Sequence, residues 1–180
     1  MTNHNKYETL LKKIFNKSAE YFKNIIIQKN PVFDFKRPVI IFGAAKMGRI
    51  FADACKKHDI IVLAYCDNDP AILNSIRDGL TVINPKTLTD NYSRDVQIIV
   101  ASESDKNILR QLKRFGFENV WSYSFFFSLY SKTFFAFAHS SDFDEIFKNE
   151  ERIQRAYNLL NDNISKKTLK KITENRTVEL

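Results

Sequence analysis

The stretch Val39-Ile40-Ile41-Phe42-Gly43-Ala44-Ala45-Lys46-Met47-Gly48 decides how this chain is read. Four consecutive apolar residues suit a parallel strand buried on both faces, a setting in which inside–outside alternation disappears. Glycine enters directly after them, and Met47, Ile50, Phe51, Ala54 and Cys55 then recur at the spacing of one helical face. Strand, tight turn and helix therefore follow one another without a linker. Ile60 through Cys66 is a second continuous apolar run, stopping at Asp67-Asn68-Asp69-Pro70, and it completes a βαβ unit.

Further along, Gly79 through Ile83 reads as a short strand, and Asn84-Pro85 as an N-cap followed by proline at the first helical position. Val96 through Val100 is another buried strand. A helix from about Asp105 carries Ile108, Leu109, Leu112 and Phe115 and is stopped by Gly116, and Asn119-Val120-Trp121 closes the sheet. Alternating strands and helices with right-handed crossovers give an α/β, Rossmann-like domain over 38–123. Its sheet is expected to be mainly parallel, with the strand ending at Phe42 central between those ending near Cys66 and Ala101.

Helical extensions frame this domain. Upstream, 1–30 reads as an amphipathic helix from about Lys6 to Gln28, whose Leu10, Ile14, Phe22 and Ile26 face is expected to be buried against the domain or a second copy. Val32 through Arg37 reads as a short linker. Downstream, 124–180 opens on an aromatic segment, Phe125-Phe126-Phe127 through Phe134-Phe135 and Phe137, expected to be a core layer or a subunit contact. Polar helices around Ile153 to Leu160 and Ser165 to Ile172 follow.

The chemistry of the turn after the first strand follows from its position. A helix N-terminus offers unpaired backbone N–H groups and the positive end of a dipole to a phosphate. Gly43, Ala45 and Gly48 occupy the three glycine positions of G-x-G-x-x-G; the first allows the tight turn and the third lets the helix pack on the strand. Ala45 stands where a glycine would let the backbone approach a pyrophosphate. Asp67 follows at the end of the second strand, where a carboxylate either accepts hydrogen bonds from ribose hydroxyls or caps the following turn. The candidate contacts are thus Gly43, Ala44, Ala45, Lys46, Met47, Gly48, Asp67 and Asn68. Ser102 joins them from Ala101-Ser102-Glu103-Ser104 after the next long strand, where its other role is to cap a helix. Lys46 and Arg49 add charge near the turn.

Composition narrows the partners. The 180 residues carry a formal charge of +7, but the lysines are spread over helices and interleaved with acids, so nucleic acid is not expected. The greasiest interval, Phe125 to Ala138, is broken by Ser128, Ser131 and Lys132, so no membrane span is expected either. Cys55 and Cys66 sit in apolar segments without metal-ligand spacing and read as reduced core thiols of a cytoplasmic protein. His4, His58 and His139 stand apart from any nucleophile, so no catalytic group and no metal site is assigned.

These features resemble the Rossmann-like N-terminal region placed ahead of the catalytic domain in some FkbM-family methyltransferases. The resemblance runs from about Val39 to Lys171. It rests on Ile41 through Arg49, Tyr65 through Pro70, Gly79 through Pro85, and Ala156 through Asp162 followed by Ser165. The first three stretches are also similar to the nucleotide-sugar-binding domain of bacterial left-handed β-helix sugar acyltransferases and to NAD-binding domains of sugar-nucleotide enzymes. The resemblance implies a nucleotide-type crevice at Gly43, Ala45, Gly48 and Asp67, holding NAD or a UDP-sugar, in a setting of glycan modification. S-adenosylmethionine enters only through a separate catalytic domain, since the chain stops about where that domain would begin; it is expected to be a fragment or a free-standing relative. A methyltransferase domain or a second copy is the implied protein partner. Two further readings stand beside this binding module: an NAD-dependent sugar-nucleotide enzyme, and a structural or oligomerisation domain that has lost its ligand.

Overall fold

A computed structural model describes residues 19–102, 105–134 and 149–169. The described residues form two compact units, one drawn from 30–134 and the other from 19–29 together with 149–169.

The first unit is an α/β structure of the Rossmann-like kind. Its six strands are β1 (Val39–Phe42), β2 (Val62–Cys66), β3 (Ile76–Arg77), β4 (Leu80–Ile83), β5 (Gln97–Val100) and β6 (Val120–Ser122), arranged β3-β4-β2-β1-β5-β6. β1 pairs in parallel with β2 on one side and β5 on the other, so it is the central strand anticipated above. All its residues are buried. Only β3 runs antiparallel, against β4. The chain moves outward from β1 through β2 to β4 and then restarts on the far side at β5. In open α/β sheets such a reversal is where a crevice forms, here at the carboxyl edge beside the end of β1.

Helices cover both faces. Those of the first unit are α2 (Lys46–Lys57), α3 (Pro85–Asn91), α4 (Asp105–Arg114), α5 (Tyr123–Leu129) and α6 (Ser131–Phe134). Ile40, Phe42, Cys66, Ile98 and Val100 pack on one face with Leu88 of α3 and Leu112 of α4. Asn84 caps α3 as its position before Pro85 predicts, its Oδ1 accepting the Thr87 N–H at 2.7 Å. Gly116 adopts the left-handed conformation just past α4, with φ of +83°.

The other face carries the aromatic residues. Phe125, Phe126 and Phe134 are buried, and Phe126 lies 5.3 Å from Phe51 of α2 between ring centroids, so the described part of the aromatic segment is a core layer. Phe135, Phe137 and His139 lie outside the described residues.

Three details depart from expectation. The segment from Val32 to Arg37 is no passive linker: Phe33 is buried and sits edge-on to Trp121 at 5.0 Å and Phe126 at 4.9 Å. Buried Gln97 fixes it further, its Oε1 accepting the Asp34 N–H and its Nε2 donating to the Asp34 carbonyl, both at 2.9 Å. The run from Ile60 is not buried throughout, since Ile61 is 67% exposed and Leu63 40%. β4 pairs only with Tyr65 and Cys66, which leaves the amino half of β2 without a neighbour on that side. Phe115 falls in the turn after α4 and is exposed, outside the helix's buried stripe.

The second unit contains α1 (Ala19–Lys29), α7 (Glu150–Leu159) and a helix over 163–169. Ile26 of α1 is buried, as the apolar stripe implies, whereas Leu10, Ile14 and His4 lie outside the described residues. Tyr157 of α7 is buried beneath the Lys166 ammonium, 5.4 Å from its ring centroid. Among the described residues no helix is long and apolar enough to cross a membrane.

Candidate functional site

The turn between β1 and α2 is built by backbone constraints. Gly43 has φ of +111°, and a side chain there would come within 2.8 Å of the Ala101 carbonyl. The turn is tied to both neighbouring strands: the Gly43 N–H donates to Cys66 O at 2.7 Å, and the Ala101 N–H to Phe42 O at 2.8 Å. Gly48 explains itself by proximity, since a Cβ would lie 1.9 Å from the Gly43 carbonyl oxygen. The first turn of α2 thus rests directly on the loop that precedes it.

Ala45 is the N-cap of α2 and offers no side-chain acceptor, and the first turn contains no acid. The first intrahelical bond joins the Arg49 N–H to the Ala45 carbonyl, which leaves the N–H groups of Lys46, Met47 and Gly48 at the open end of the helix. Two other helices differ: Asn84 caps α3 and Ser122 caps α5. A helix end with open N–H groups favours an anion.

Asp67 meets this turn. Its Oδ2 accepts the Ala44 N–H at 2.8 Å and its Oδ1 accepts the Asp69 N–H at 3.0 Å. The carboxylate therefore joins the turns that follow β1 and β2, and of the two roles read from the sequence its hydrogen bonds are those of turn capping. Asn68 is exposed and forms a reciprocal amide pair with Gln111 of α4, each bond 3.0 Å. Ser102 is half-buried beside the Gly43 turn, next to Ala101. Lys46 is exposed on the first turn of α2, while Arg49 is engaged by Asp78, Nε to Oδ2 at 3.3 Å.

Two residues of this neighbourhood were not singled out from the sequence. Arg77 on β3 reaches across to donate from Nη1 to the Ala44 carbonyl. Asp78 follows it at φ of +52°, and with Gly79 at +78° it forms the tight turn between β3 and β4. Asp78 also accepts the Tyr65 hydroxyl at 3.2 Å. Burial, with the Asp78 charge and hydrogen bond adding to it, pushes the Tyr65 phenol above its ordinary range. The dipeptide Asp78-Gly79 was the available signal, since it is a strong marker of a two-residue hairpin.

The thiols belong to the core. Cys55 and Cys66 are buried and free, and burial pushes Cys55 up to about 12. Cys66 is raised by burial and then by the Asp67 charge beside it. His58 is the exposed C-cap of α2. A recess of about 500 Å³ lined by Leu109, Lys113, Gly116, Phe117, Glu118 and Val120 lies by the loop entering β6, at the amino end of that strand, and is separate from the carboxyl-edge crevice.

Residues 35–120 match the family described as C2185-like, N-terminal. No curated protein matches the chain. Among solved structures, the methyltransferase FkbM from Methylobacillus flagellatus KT is similar with a TM-score of 0.63 and 15% identity, over 97% of this chain and 49% of that one. The chain thus spans about half the length of that methyltransferase. UDP-D-quinovosamine 4-dehydrogenase from Vibrio fischeri is similar over 48% of this chain and 77% of its own, at 21% identity and a TM-score of 0.40. The likeness to the methyltransferase is one of fold.

Proposed function

We propose that the Rossmann-like domain at 38–123 is a cytoplasmic binding module for a nucleotide or nucleotide-sugar, serving a glycan-modifying enzyme of the FkbM methyltransferase type. Phosphate lies at the N–H groups of Ala45, Lys46 and Met47, and ribose lies by Asp67. One observation carries the reading: the uncapped start of α2 stands beside a carboxylate on the same edge of the sheet. Asp67 has acceptor capacity left, because a carboxylate offers about four lone-pair sites and two N–H groups engage only two of them. The glycan setting is supported by the sequence resemblance and by the fold shared with an FkbM methyltransferase.

Calorimetric titration with UDP-N-acetylglucosamine, NAD and NADP tests the proposal. A UDP-sugar or NAD should bind more tightly than NADP, because the Asp67 carboxylate repels a 2′-phosphate and accepts free hydroxyls. Absence of heat with all three at millimolar concentration would end the nucleotide reading. The hydrogen bonds from the Ala44 and Asp69 N–H groups to Asp67 favour a second reading, in which the carboxylate only braces the two turns in a structural or oligomerising domain. In that case Asp67→Ala lowers the melting temperature and no nucleotide raises it.

A further inference from the structure

We infer that Arg77 is the cationic half of a diphosphate site whose other half is the start of α2, and that it selects a nucleoside diphosphate over the bare nucleoside. The inference rests on the nucleotide reading above and adds the residue that recognises the charge.

The argument begins with the hairpin. β3 contains only Ile76 and Arg77, and Arg77 pairs with Leu80 across the Asp78-Gly79 turn. Three side-chain contacts dock this hairpin onto the body of the domain. Asp78 takes the Arg49 Nε and the Tyr65 hydroxyl, while Arg77 takes the Ala44 carbonyl. Tyr65 lies under Gly48, whose Cβ position is 3.3 Å from the Tyr65 ring, so this hairpin, β2 and the first turn of α2 meet at one place.

Charge then separates the two arginines of this cluster. Arg49 is neutralised by Asp78. Arg77 spends one N–H on a neutral carbonyl, and among the described residues no carboxylate stands within ion-pair distance of it. A guanidinium has five N–H donors in a planar fork, so donors remain for an anion after the Ala44 bond is made. That bond fixes the charge at the peptide joining Ala44 to Ala45, immediately before the open N–H groups of α2. A half-buried guanidinium beside a helix N-terminus suits two linked phosphates better than a single neutral group.

The test is titration of the whole chain with uridine, UDP, adenosine and ADP, for wild type, Arg77→Gln and Arg77→Lys. Gln keeps a donor for the Ala44 carbonyl and removes the charge. Wild type should prefer a diphosphate to its nucleoside. Arg77→Gln should weaken the diphosphate by about ten- to a hundredfold, leave the nucleoside unchanged and flatten the salt dependence, whereas Arg77→Lys retains part of the preference. If wild type binds a diphosphate and Arg77→Gln binds it equally well, this inference fails and the nucleotide reading stands. Equal weakening of nucleoside and diphosphate makes Arg77 a brace of the turn and also overturns the inference. If wild type binds none of the four, the nucleotide reading falls and takes the inference with it.

Discussion

Replacing Gly48 with alanine tests the geometry of the turn most directly. Its Cβ would stand 1.9 Å from the Gly43 carbonyl oxygen and 3.0 Å from the carbonyl carbon, both of them backbone atoms that no side-chain rotation can move. The start of α2 must retreat by more than 1 Å to reach even the closest real contacts. A clash this close with backbone falls at the upper end of overpacking costs, about 3 kcal/mol, while alanine regains about 1 kcal/mol of helix propensity. A net loss of about 2 kcal/mol should lower Tm by on the order of 10 °C for a unit of this size. Trp121, the single tryptophan and fully buried, reports the transition by fluorescence in urea or on heating. Gly79 is the control. It has φ of +78° and no atom within 4 Å of its Cβ position, so asparagine, which tolerates that conformation, should be accepted there better than alanine. At Gly48 the order reverses, because space and not backbone torsion sets the limit. A Gly48→Ala protein as stable as wild type, or asparagine faring worse than alanine at position 79, would refute the account of both positions.

Other expectations follow from the same packing. Phe33→Ala should destabilise the 30–134 unit by about 3–5 kcal/mol, measured by urea unfolding, because it empties the centre of the ring cluster with Trp121 and Phe126; an effect under about 1 kcal/mol would return 32–37 to the status of a linker. Cys55 should resist alkylation in the native state at pH 8 and react on denaturation, since its folded thiol is raised to about 12. The raised value also carries a sign: the unfolded chain ionises this thiol first, so its contribution to stability is intact below about pH 9 and is lost as pH rises toward 12, which pH-dependent urea midpoints would detect. Asn68→Ala and Gln111→Ala should change Tm little, because their amide pair is exposed, and any change in nucleotide affinity would show that the pair borders the groove.

Much of the fold was readable because its strongest signals are local. Val39–Phe42 and Gln97–Val100 are buried on both faces, and their apolar runs, Val39 to Phe42 and Ile98 to Val100, announce them as strands. Asn84-Pro85 and Gly116 mark helix ends through backbone chemistry that hardly depends on the tertiary fold. The missed features depend on partners distant in sequence. Ile61 and Leu63 look identical to buried strand residues until the short reach of β4 leaves them uncovered. Phe33 lies in a short segment with no periodic pattern, and its burial is decided by Trp121 and Phe126, some ninety positions away. β3, at two residues, is too short to show any period.

The candidate site was legible to the same degree and for the same reason. Gly43, Gly48 and Asp67 could be named because each answers a backbone demand fixed by its place at the carboxyl end of a parallel strand. The structure adds that Asp67 bonds to the backbone of Ala44 within the Gly43 turn, so the acid and the turn form a single braced unit. Pattern matching alone treats them as two independent matches, although retention of one requires retention of the other on structural grounds. Their joint presence therefore weighs less toward a ligand than two separate matches would. What weighs more is what bracing does not require: an N-cap left as alanine, no acid in the first turn of α2, and an arginine whose charge no described carboxylate meets. A domain that had kept only its architecture gains stability by capping that helix end, and substituting Asp or Ser at Ala45 would test whether anything opposes it. If Ala45→Ser raises Tm and leaves nucleotide affinity unchanged, the open end is only an uncapped helix. If it raises Tm while weakening affinity, the open N–H groups are being held for a ligand.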